Sequence, residues 1–453
     1  MKRRSFIRNT AAITTGAIFA PTIVPASVFG KNAPSNRINI AAIGTGRISQ
    51  HHDMPGVWKY DHVQISSVCD VDSKRLTEAK QLVENHYSLK TGKNFTGVKM
   101  YEDYREMLLD KDIDAVLIST PEHWHAKQAI DAALAGKDIY MQKPSSLTIA
   151  EGRIMSDIVS RQGTIFQVGT QQRSSDQFRI ACELVRNGRI GTLKNIQIGL
   201  PIDPAGENEP EMLVPKNLNY DMWLGPAEWM PYTEKRVHPQ IDYSRPGWLR
   251  VEKFCLGMVT GWGSHHVDIA HWGMGTEYSG PIEIEATADF PTSGIWTVHG
   301  KYNIKAKYEN GVTMQITDEF PNGIRFEGSD GWIFVTRGNY AATSSDPVSK
   351  DETPPLTASN PKILKSKIEP DEIHLYQSSD HHGNWVECIK TRQQPITPVE
   401  VGHRSTTACI LGHIAMKIPR KLFWDPLKER FKNDDEANSY LSRPYRVPYL
   451  LDV

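Results

Sequence analysis

The sequence has no excess of charge of either sign, no cysteine framework and no long apolar run. Its 453 residues carry 52 basic and 53 acidic side chains, for a formal net charge of −1. Proteins that bind nucleic acid or anionic membranes present basic surfaces, so this balance predicts neither as a partner. The 33 glycines and 28 prolines favour a loop-rich fold over a helical bundle.

The cysteines are few and far apart, at positions 69, 182, 255, 388 and 409. An odd number without close spacing argues against a disulfide framework and against a metal site built on cysteine. We therefore expect all of these side chains to be small, buried apolar groups.

The apolar stretch nearest the N-terminus, residues 10–24, is short and rich in threonine. It is too short for a membrane-spanning helix, which needs about 20 apolar residues. Arg3 and Arg4 precede it, a pattern typical of the twin-arginine pathway, which exports folded proteins. We predict that residues 1–33 are an export signal and spacer, that the protein is periplasmic, and that no stable membrane span is left after signal removal. A membrane anchor is the alternative.

Residues 34–160 alternate between apolar runs and segments with helical spacing. The apolar runs are INIAAI, VQISSVCD, IDAVLIST and DIYMQKP, at 38–43, 63–70, 113–120 and 138–144. Strands that alternate with helices pair in parallel, so we predict an α/β domain of the Rossmann type with a doubly wound parallel sheet.

The pattern changes after residue 160, where strand-like segments follow one another with few helices between them. Helical spacing is strong only near 176–189, 264–274 and 384–418. Consecutive strands joined by short turns form antiparallel sheets. We predict that residues 161–453 form a C-terminal α+β domain with a large, mostly antiparallel sheet. Its Ser/Pro/Thr-rich segment 341–369 is predicted to be a surface loop.

A glycine-rich turn, GTGRIS, follows the first predicted strand and opens a helix. Gly44 would permit the tight turn, Gly46 would let the backbone approach a pyrophosphate, and Ser49 is small enough for helix packing. The start of the helix, with Arg47 and Ile48, supplies N–H donors to phosphate. The turn predicts a dinucleotide site, and a glycine-rich turn without a nucleotide is the alternative.

The nucleotide is predicted from the acidic residue that ends the next strand. A carboxylate at Asp70 would accept both ribose hydroxyls and repel a 2′-phosphate, which favours NAD as the cofactor. Lys74 and Arg75 lie nearby in the sequence and keep NADP as the alternative.

Further motifs are TPEHWH (120–125), QKP (142–144), GTQQRSS (169–175), GWGSHHVDIAHWGMG (261–275) and the C-terminal SRPYR. With GTGRIS, they resemble the glucose–fructose oxidoreductase/inositol dehydrogenase (Gfo/Idh/MocA) family over nearly all of the chain after the signal. The resemblance implies an NAD(P)-binding Rossmann domain, a second domain whose sheet makes a homo-oligomer interface, and dehydrogenation of sugars or polyols. The cofactor contacts that it implies beyond the glycine-rich turn are Thr120, Pro121, His123, His125 and Gln142.

Two positions depart from the family pattern. Gln142 stands where the family has a glutamate before its lysine, and Gly261 stands where the family has the first aspartate of Asp-x-x-x-His-x-x-Asp. The second departure removes a carboxylate that would orient substrate or polarise the histidine. Either another residue substitutes for it, or the reaction differs from ordinary alcohol oxidation.

Lys143 and His265 are the predicted catalytic residues. Lys143 follows a parallel strand, where α/β sheets place ligands, and it can hydrogen-bond a reacting hydroxyl. His265 takes the place of the family's catalytic histidine and would titrate near neutral pH. Asp268 lies one helical turn away and either fixes the tautomer of His265 or caps the helix.

An aromatic, proline-rich segment at 223–248 is typical of a carbohydrate site, because aromatic faces stack on sugars while basic groups bind hydroxyls. Packing of these aromatic side chains in the core is the alternative. The predicted substrate contacts are Arg173, His238, Tyr243, His266 and Asp268. The histidines at 265–271 do not converge on one helical face, so no metal site is predicted.

These observations together predict an NAD-dependent oxidoreductase that acts on a hydroxyl of a sugar, glycoside or polyol. The periplasm offers no ready pool of NAD, which favours a nicotinamide that stays tightly bound. One alternative is a redox-neutral glycoside hydrolase or lyase that works through a transient keto-sugar. The other is a sugar-binding protein without catalytic activity. Net formation of NADH distinguishes the first function from these two.

Overall fold

The computed structural model describes residues 37–338 and 354–451 of the chain. The predicted export signal and spacer, residues 1–33, lie outside the described residues. Within the described ranges, no helix is both long enough and apolar enough to cross a membrane.

The first domain is built on a parallel sheet. Its strands are β1 Ile38–Ile43, β2 Val63–Cys69, β3 Lys99–Tyr101, β4 Ala115–Ile118, β5 Asp138–Met141 and β6 Phe166–Val168. They lie in the order β3-β2-β1-β4-β5-β6, and every neighbouring pair is parallel. Every residue of β4 and β5 is buried, because helices cover both faces of the sheet. The doubly wound sheet is confirmed, and β6 extends it past the predicted domain boundary at residue 160.

Helices connect these strands. A π-helical turn, Ser49–Asp53, leads into α1 Met54–Trp58, and the others are α2 Ser73–Thr91, α3 Tyr104–Leu108, α4 Glu122–Leu134 and α5 Ile149–Gln162. Asp72 caps α2 by accepting from the backbone N–H groups of Lys74 and Arg75, at 3.0 Å and 3.3 Å. Thr148 and Glu151 form a capping box at the start of α5. These side chains satisfy N–H groups that a helix start leaves without partners.

The second domain is built on a larger sheet. Its strands are β7 Leu193–Gly199, β8 Glu283–Ala288, β9 Tyr302–Lys307, β10 Thr313–Thr317, β11 Gly323–Gly328, β12 Trp332–Val335, β13 Leu356–Ala358, β14 Leu422–Asp425 and β15 Arg430–Phe431. The order is β13-β12-β11-β7-β10-β9-β8-β14-β15. Among the described strands of this second sheet, only the β7–β10 pair is parallel, so the prediction of a mostly antiparallel sheet is confirmed.

The helices of the second domain are α6 Asp176–Arg186, α7 Tyr220–Leu224, α8 Met258–Gly261, α9 Gly263–Met274, α10 Pro361–Lys365, α11 His381–Thr391, α12 Val399–Lys417 and α13 Asp435–Ser439. Three of them, α6, α9 and α12, cover one face of the large sheet and form the main core with it. Helix α12 also contacts the first domain, where Thr406 Oγ1 accepts a 3.1 Å hydrogen bond from the Ser145 N–H. This contact joins the segment after β5 to the helical layer of the second domain.

The segment 341–369 is not wholly a loop, because β13 and α10 form within its described part. Strand β13 adds to the edge of the sheet beside β12, and Ile363 of α10 is buried in the main core. The Ser, Pro and Thr content obscured this short strand and helix; residues 341–353 lie outside the described residues. The cysteines are all buried and unpaired, as predicted.

Candidate active site

One cleft runs along the carboxyl ends of the parallel strands and is bounded on its other side by α8, α9 and the segment 244–249. Ligands of open α/β sheets bind at these strand ends. The predicted site residues that line the cleft are Gly44, Gly46, Arg47, Ile48, Asp70, Thr120, Pro121, His125, Gln142, Lys143, His238 and His265. The fold thus brings both predicted catalytic residues to the cleft that carries the glycine-rich turn.

The glycine-rich turn lies directly against the end of β4. Gly44 has a φ of +78°, and a Cβ atom there would lie 2.9 Å from the backbone nitrogen of Thr120. A side chain at Gly44 is therefore excluded by conformation and by contact. At Gly46, Arg75 Nη1 at 3.4 Å is the one atom of the described residues that a Cβ would approach within 4 Å. Because Gly44 and Gly46 carry no side chains, the pyrophosphate of a dinucleotide can come close to the backbone of this turn. The residues present therefore fit NAD.

Asp70 holds this turn and also faces the cleft. Its Oδ2 accepts hydrogen bonds from the Thr45 N–H at 2.7 Å and the Thr45 hydroxyl at 3.0 Å, and its Oδ1 accepts one from the Asp72 N–H at 2.9 Å. Each carboxylate oxygen has two lone pairs, so Oδ1 can accept one further donor. A ribose hydroxyl is a donor of the right kind at this strand end.

Arg75, the group that kept NADP as an alternative, is held by the second domain. Its Nη2 donates to the carbonyl of Pro239 at 2.9 Å, and its guanidinium lies 4.6 Å from the ring centre of Tyr243. Arg75 also lines the cleft, where its Nη1 lies beside Gly46, so its guanidinium joins the second domain to the glycine-rich turn.

Lys143 lies just beyond the end of β5, where His125 fixes the adjoining backbone. The His125 ring lies between two carbonyl oxygens, with Nδ1 2.7 Å from Pro144 O and Nε2 2.9 Å from Thr120 O. Burial lowers the pKa of His125 to about 4, so the neutral ring donates to one carbonyl at a time. The ring ties the end of β4 to the segment that carries Lys143.

His265 presents a neutral imidazole to the same cleft. The residue is 5% exposed, and its Nδ1 has no hydrogen-bond partner among the described residues. Burial, and then the positive charges of Arg337 and Lys143, hold the pKa of His265 well below its usual value. A neutral ring with a free nitrogen can accept a proton or hydrogen-bond a substrate hydroxyl.

Glu122, one of two residues of the TPEHWH motif for which no role was predicted, brings a carboxylate into the cleft. It is 2% exposed, and its Oε1 accepts a 3.0 Å hydrogen bond from the thiol of Cys255. The Thr260 hydroxyl lies 3.4 Å from Oε2. Burial raises the pKa of Glu122 to about 7, against the opposing effects of the Cys255 thiol and the charge of Lys143.

Gln142 belongs to a buried network beneath the cleft. Asp53 Oδ1 accepts hydrogen bonds from Gln142 Nε2 at 2.8 Å and His382 Nε2 at 3.2 Å, and Oδ2 accepts one from the Ser119 hydroxyl at 2.7 Å. His52 Nδ1 lies 3.0 Å from Asp53 Oδ1. The two histidines and Asp53 are also close enough to share a metal ion, with one ligand atom of each within 4.8 Å of the others.

Arg173 and Asp268 lie outside the cleft, because they pair with each other. Two hydrogen bonds of 2.7 Å and 2.8 Å join the guanidinium to the carboxylate, and both side chains are buried. Glu277 takes a third bond from Arg173, at 2.7 Å. The ion pair accounts for the carboxylate of Asp268, which therefore does not orient His265.

Four other predicted contacts also lie away from the cleft lining. His266 Nε2 is bound to Asn322 Oδ1 at 2.9 Å, and the Tyr243 hydroxyl is bound to Gln50 at 2.6 Å and Glu78 at 2.5 Å. His123 Nε2 meets the carbonyl of Trp223 at 3.0 Å, and Ser49 is fully buried. His238 does line the cleft, but its Nε2 lies 3.0 Å from Asp72 Oδ2, at the start of α2.

Sequence reasoning missed several residues that line the cleft around Lys143 and His265. They are Glu122, Arg245, Trp248, Met258, Trp262 and Arg337. Arg337 lies over the Trp262 ring, 4.7 Å from its centre. The position of Glu122 inside the TPEHWH motif was the one local signal available.

The fold and the cleft together define a two-domain, NAD-binding oxidoreductase. The chain belongs to the Gfo/Idh/MocA oxidoreductase family. Residues 38–170 match the family's NAD-binding Rossmann fold, and residues 205–346 and 361–451 match its C-terminal alpha/beta domain. The resemblance read from the motifs is thereby confirmed, and so is NAD as the cofactor.

Similar sequences include both oxidoreductases and glycosyl hydrolases. An uncharacterized oxidoreductase of Bacillus subtilis, YrbE, is 25% identical over 316 residues, which cover 69% of this chain and 76% of the relative. A glycosyl hydrolase family 109 protein of Shewanella pealeana is 30% identical over 169 residues, 37% of this chain and 36% of the relative. An alpha-N-acetylgalactosaminidase of Shewanella oneidensis is 27% identical over 208 residues, 42% and 44% of the two chains. The match spans less than half the length of these hydrolases.

Solved structures share the fold over most of the chain. A levoglucosan dehydrogenase in complex with NADH and levoglucosan has a TM-score of 0.57 at 15% identity, covering 85% of this chain and 99% of its own. The aldose-aldose oxidoreductase of Caulobacter crescentus has a TM-score of 0.57 at 19% identity, with the same coverage of 85% and 99%. At these identities the likeness concerns the fold alone.

Proposed function

We propose that this protein oxidises a hydroxyl group of a sugar, glycoside or polyol with NAD that stays bound between turnovers. The observation that carries the proposal is the shared cleft: Lys143 and His265 line the same space as the bare turn at Gly44 and Gly46. An amine and a neutral imidazole beside a dinucleotide turn are the groups that dehydrogenation of an alcohol requires.

Each side chain has a defined task in this proposal. Bound nicotinamide supplies the acceptor for the hydride that leaves the substrate carbon. Lys143 hydrogen-bonds the reacting hydroxyl and, once it has lost its own proton, takes the proton of that hydroxyl. His265, neutral because of its burial and its cationic neighbours, accepts a hydrogen bond from the substrate through its free Nδ1. Together they fix the hydroxyl in one orientation.

The walls of the cleft support a carbohydrate substrate. Trp248 and Trp262 provide aromatic surface, and Arg245 and Arg337 provide donors in a planar arrangement. Aromatic faces with a few polar groups are typical of small-molecule sites that bind sugars.

We also propose that the twin-arginine pattern at Arg3 and Arg4 directs export of the folded, NAD-loaded protein to the periplasm. Loading NAD before export would provide a cofactor that the periplasm does not supply. A second substrate would then reoxidise the nicotinamide in place.

A second candidate is redox-neutral cleavage of a glycoside through a transient keto-sugar. Two observations favour it: the glycosyl hydrolase relatives, and Gly261 at the family's aspartate position. A ketone acidifies the neighbouring C–H bond, so elimination of the aglycone and return of the hydride would leave no net redox change.

Absorbance at 340 nm on purified holoprotein separates these functions. Levoglucosan, myo-inositol and p-nitrophenyl N-acetyl-α-galactosaminide serve as probes. Lasting reduction of bound nicotinamide supports the oxidoreductase, whereas released p-nitrophenol without lasting reduction supports redox-neutral cleavage. Binding of a probe with neither signal, and with no deuterium exchange in D2O, would leave only a sugar-binding protein.

Lys143→Ala is the matched test of the catalytic assignment. It is expected to abolish reduction of nicotinamide and to leave NAD binding intact. Lys127→Ala, which removes a lysine paired with Asp131 outside the cleft, is the control and is expected to keep full activity. Unchanged turnover in Lys143→Ala would contradict the proposed role.

A further inference from the structure

A buried carboxylate lines the same cleft as the proposed catalytic lysine and as the position where the family's aspartate is absent. The carboxylate is that of Glu122, and the position is Gly261, where a Cβ atom would meet no atom of the described residues within 4 Å. The hydroxyl of the residue before Gly261, Thr260, lies 3.4 Å from Glu122 Oε2. Glu122 therefore brings a carboxylate from α4 of the first domain to the part of the cleft that α8 forms.

The contacts of Glu122 are those of a group that exchanges a proton. The Cys255 thiol stabilises the ionised form by donating at 3.0 Å, and the charge of Lys143 favours the same form. Burial opposes both, because a carboxylate away from water is costly unless it is paired.

We propose that Glu122 is the proton acceptor for Lys143: it takes a proton from the Lys143 ammonium and leaves a neutral amine. This proposal rests on the proposed function. The substrate O–H bond then breaks and its proton passes to that amine, which becomes an ammonium again. The substrate C–H bond breaks, its electron pair leaves as hydride for the bound nicotinamide, and the carbonyl forms. Glu122 then releases its proton to water.

The neighbours of Glu122 make its titration observable near neutral pH. Lys143 is the charged group that faces it. Burial raises the pKa of both neighbouring thiols, and burial lowers the pKa of the histidines on its own helix and in the cleft. The thiols are Cys255 and Cys409, and the histidines are His123, His125 and His265. These shifts move the pKa values of the thiols and the histidines away from neutrality, in opposite directions.

The experiment is the pH profile of single-turnover nicotinamide reduction from pH 5.5 to 9, with whichever of the three probes wild type oxidises. Wild type is expected to speed up as Glu122 ionises, with an inflection near pH 7. Glu122→Gln keeps the shape of the side chain but cannot accept the proton. We expect it to lose the inflection and at least tenfold of the rate at pH 8.

Two further variants separate a proton acceptor from a structural carboxylate. Glu151→Gln changes an equally buried carboxylate that binds Arg443 outside the cleft, and it is expected to lower the melting temperature while keeping the inflection. Cys255→Ala removes the thiol that favours ionised Glu122, so its inflection is expected at higher pH. Cys255→Ala also keeps the proposal testable if Glu122→Gln does not fold.

The outcomes distinguish the two proposals. An unchanged inflection in folded Glu122→Gln, or an unshifted inflection in Cys255→Ala, overturns the proton-acceptor role and leaves the proposed function standing. If none of the three probes reduces the nicotinamide of wild type, the proposed function fails, and the proton-acceptor role fails with it.

Discussion

The side-chain amide of Gln142 donates a 2.8 Å hydrogen bond to the carboxylate of Asp53. Asp53 is fully buried; burial favours its neutral form, but hydrogen bonds from His382 and His52 outweigh that effect and hold its pKa well below its usual value. The position where the family carries a glutamate thus holds an amide because a second carboxylate already occupies the network. The negative charge is retained on Asp53, at a different place in the sequence.

Gln142→Glu, which restores the family's residue, is expected to destabilise this protein at pH 7. Two carboxylates would then share one buried site, at a cost of about 2–4 kcal/mol. Urea unfolding of the variant and wild type at pH 7 measures the difference.

The double variant Gln142→Glu with Asp53→Asn is the matched control. Exchanging acid and amide restores a complementary pair, so most of the lost free energy of unfolding should return. Equal loss in the single and double variants would show that the 142–53 contact does not set the residue at 142.

Asp268→Asn tests whether the buried ion pair with Arg173 is structural. Removing one partner of a buried pair leaves an uncompensated charge, although Glu277 still binds the guanidinium. We expect a loss of about 3 kcal/mol of unfolding free energy and an unchanged kcat/KM at a temperature where the variant is folded. Asp176→Asn, at an exposed pair with Arg179, should cost less than about 1 kcal/mol. A large fall in kcat/KM with little loss of stability would return Asp268 to the substrate site.

Gly261 is expected to tolerate a side chain. It is the last residue of α8, its φ is not positive, and a Cβ atom would meet no atom of the described part of the chain within 4 Å. Gly261→Ala should raise the free energy of unfolding by up to about 1 kcal/mol, because alanine loses less backbone freedom than glycine on folding. Thermal melts of wild type and variant test this. A melting temperature several degrees below that of wild type would mean that the space at Gly261 is closed in solution.

Glu122 should make stability fall as the pH rises toward neutrality. Its pKa is about 7 in the folded protein and 4.5 as the ordinary value. Between these values the folded state binds the proton more tightly, so unfolding becomes easier as pH increases, by about 1–3 kcal/mol in all. Glu122→Gln has no titrating group at this position, so it lacks this pH-dependent contribution to the free energy of unfolding. Its stability relative to wild type should therefore improve from pH 4.5 to pH 7 and stay constant above pH 8, as urea midpoints would show. A constant difference across this range would contradict a raised pKa.

Local patterns predicted the framework of the site but not its pairings. The strand and turn around Gly44 follow from a few adjacent residues, and so does the placement of Asp70 at a strand end. The contacts Gln142–Asp53 and Glu122–Cys255 join residues 89 and 133 positions apart. The periodicity of apolar residues along a helix or strand gives no information about contacts between residues so far apart in the sequence. Asp268 was placed beside His265 on helical spacing alone, whereas the partner it found, Arg173, comes from another element of the fold.

Strand β13 shows the same limit in the second domain. Leu356 and Ala358 pair with the edge of an existing sheet, and that edge supplies the order that their own sequence lacks. The prediction of a loop over 341–369 is wrong for Leu356–Ala358 and Pro361–Lys365, because composition alone does not include the neighbouring sheet edge.

The five cysteines are buried and unpaired, so no disulfide bond contributes to the covalent structure. The chain completes its fold without forming a covalent cross-link, so the folded state is the same molecule in a reducing compartment and in an oxidising one. A reductant such as dithiothreitol should leave its melting temperature unchanged. For a protein proposed to cross a membrane already folded and loaded, maturation then needs no disulfide-forming catalyst on the far side.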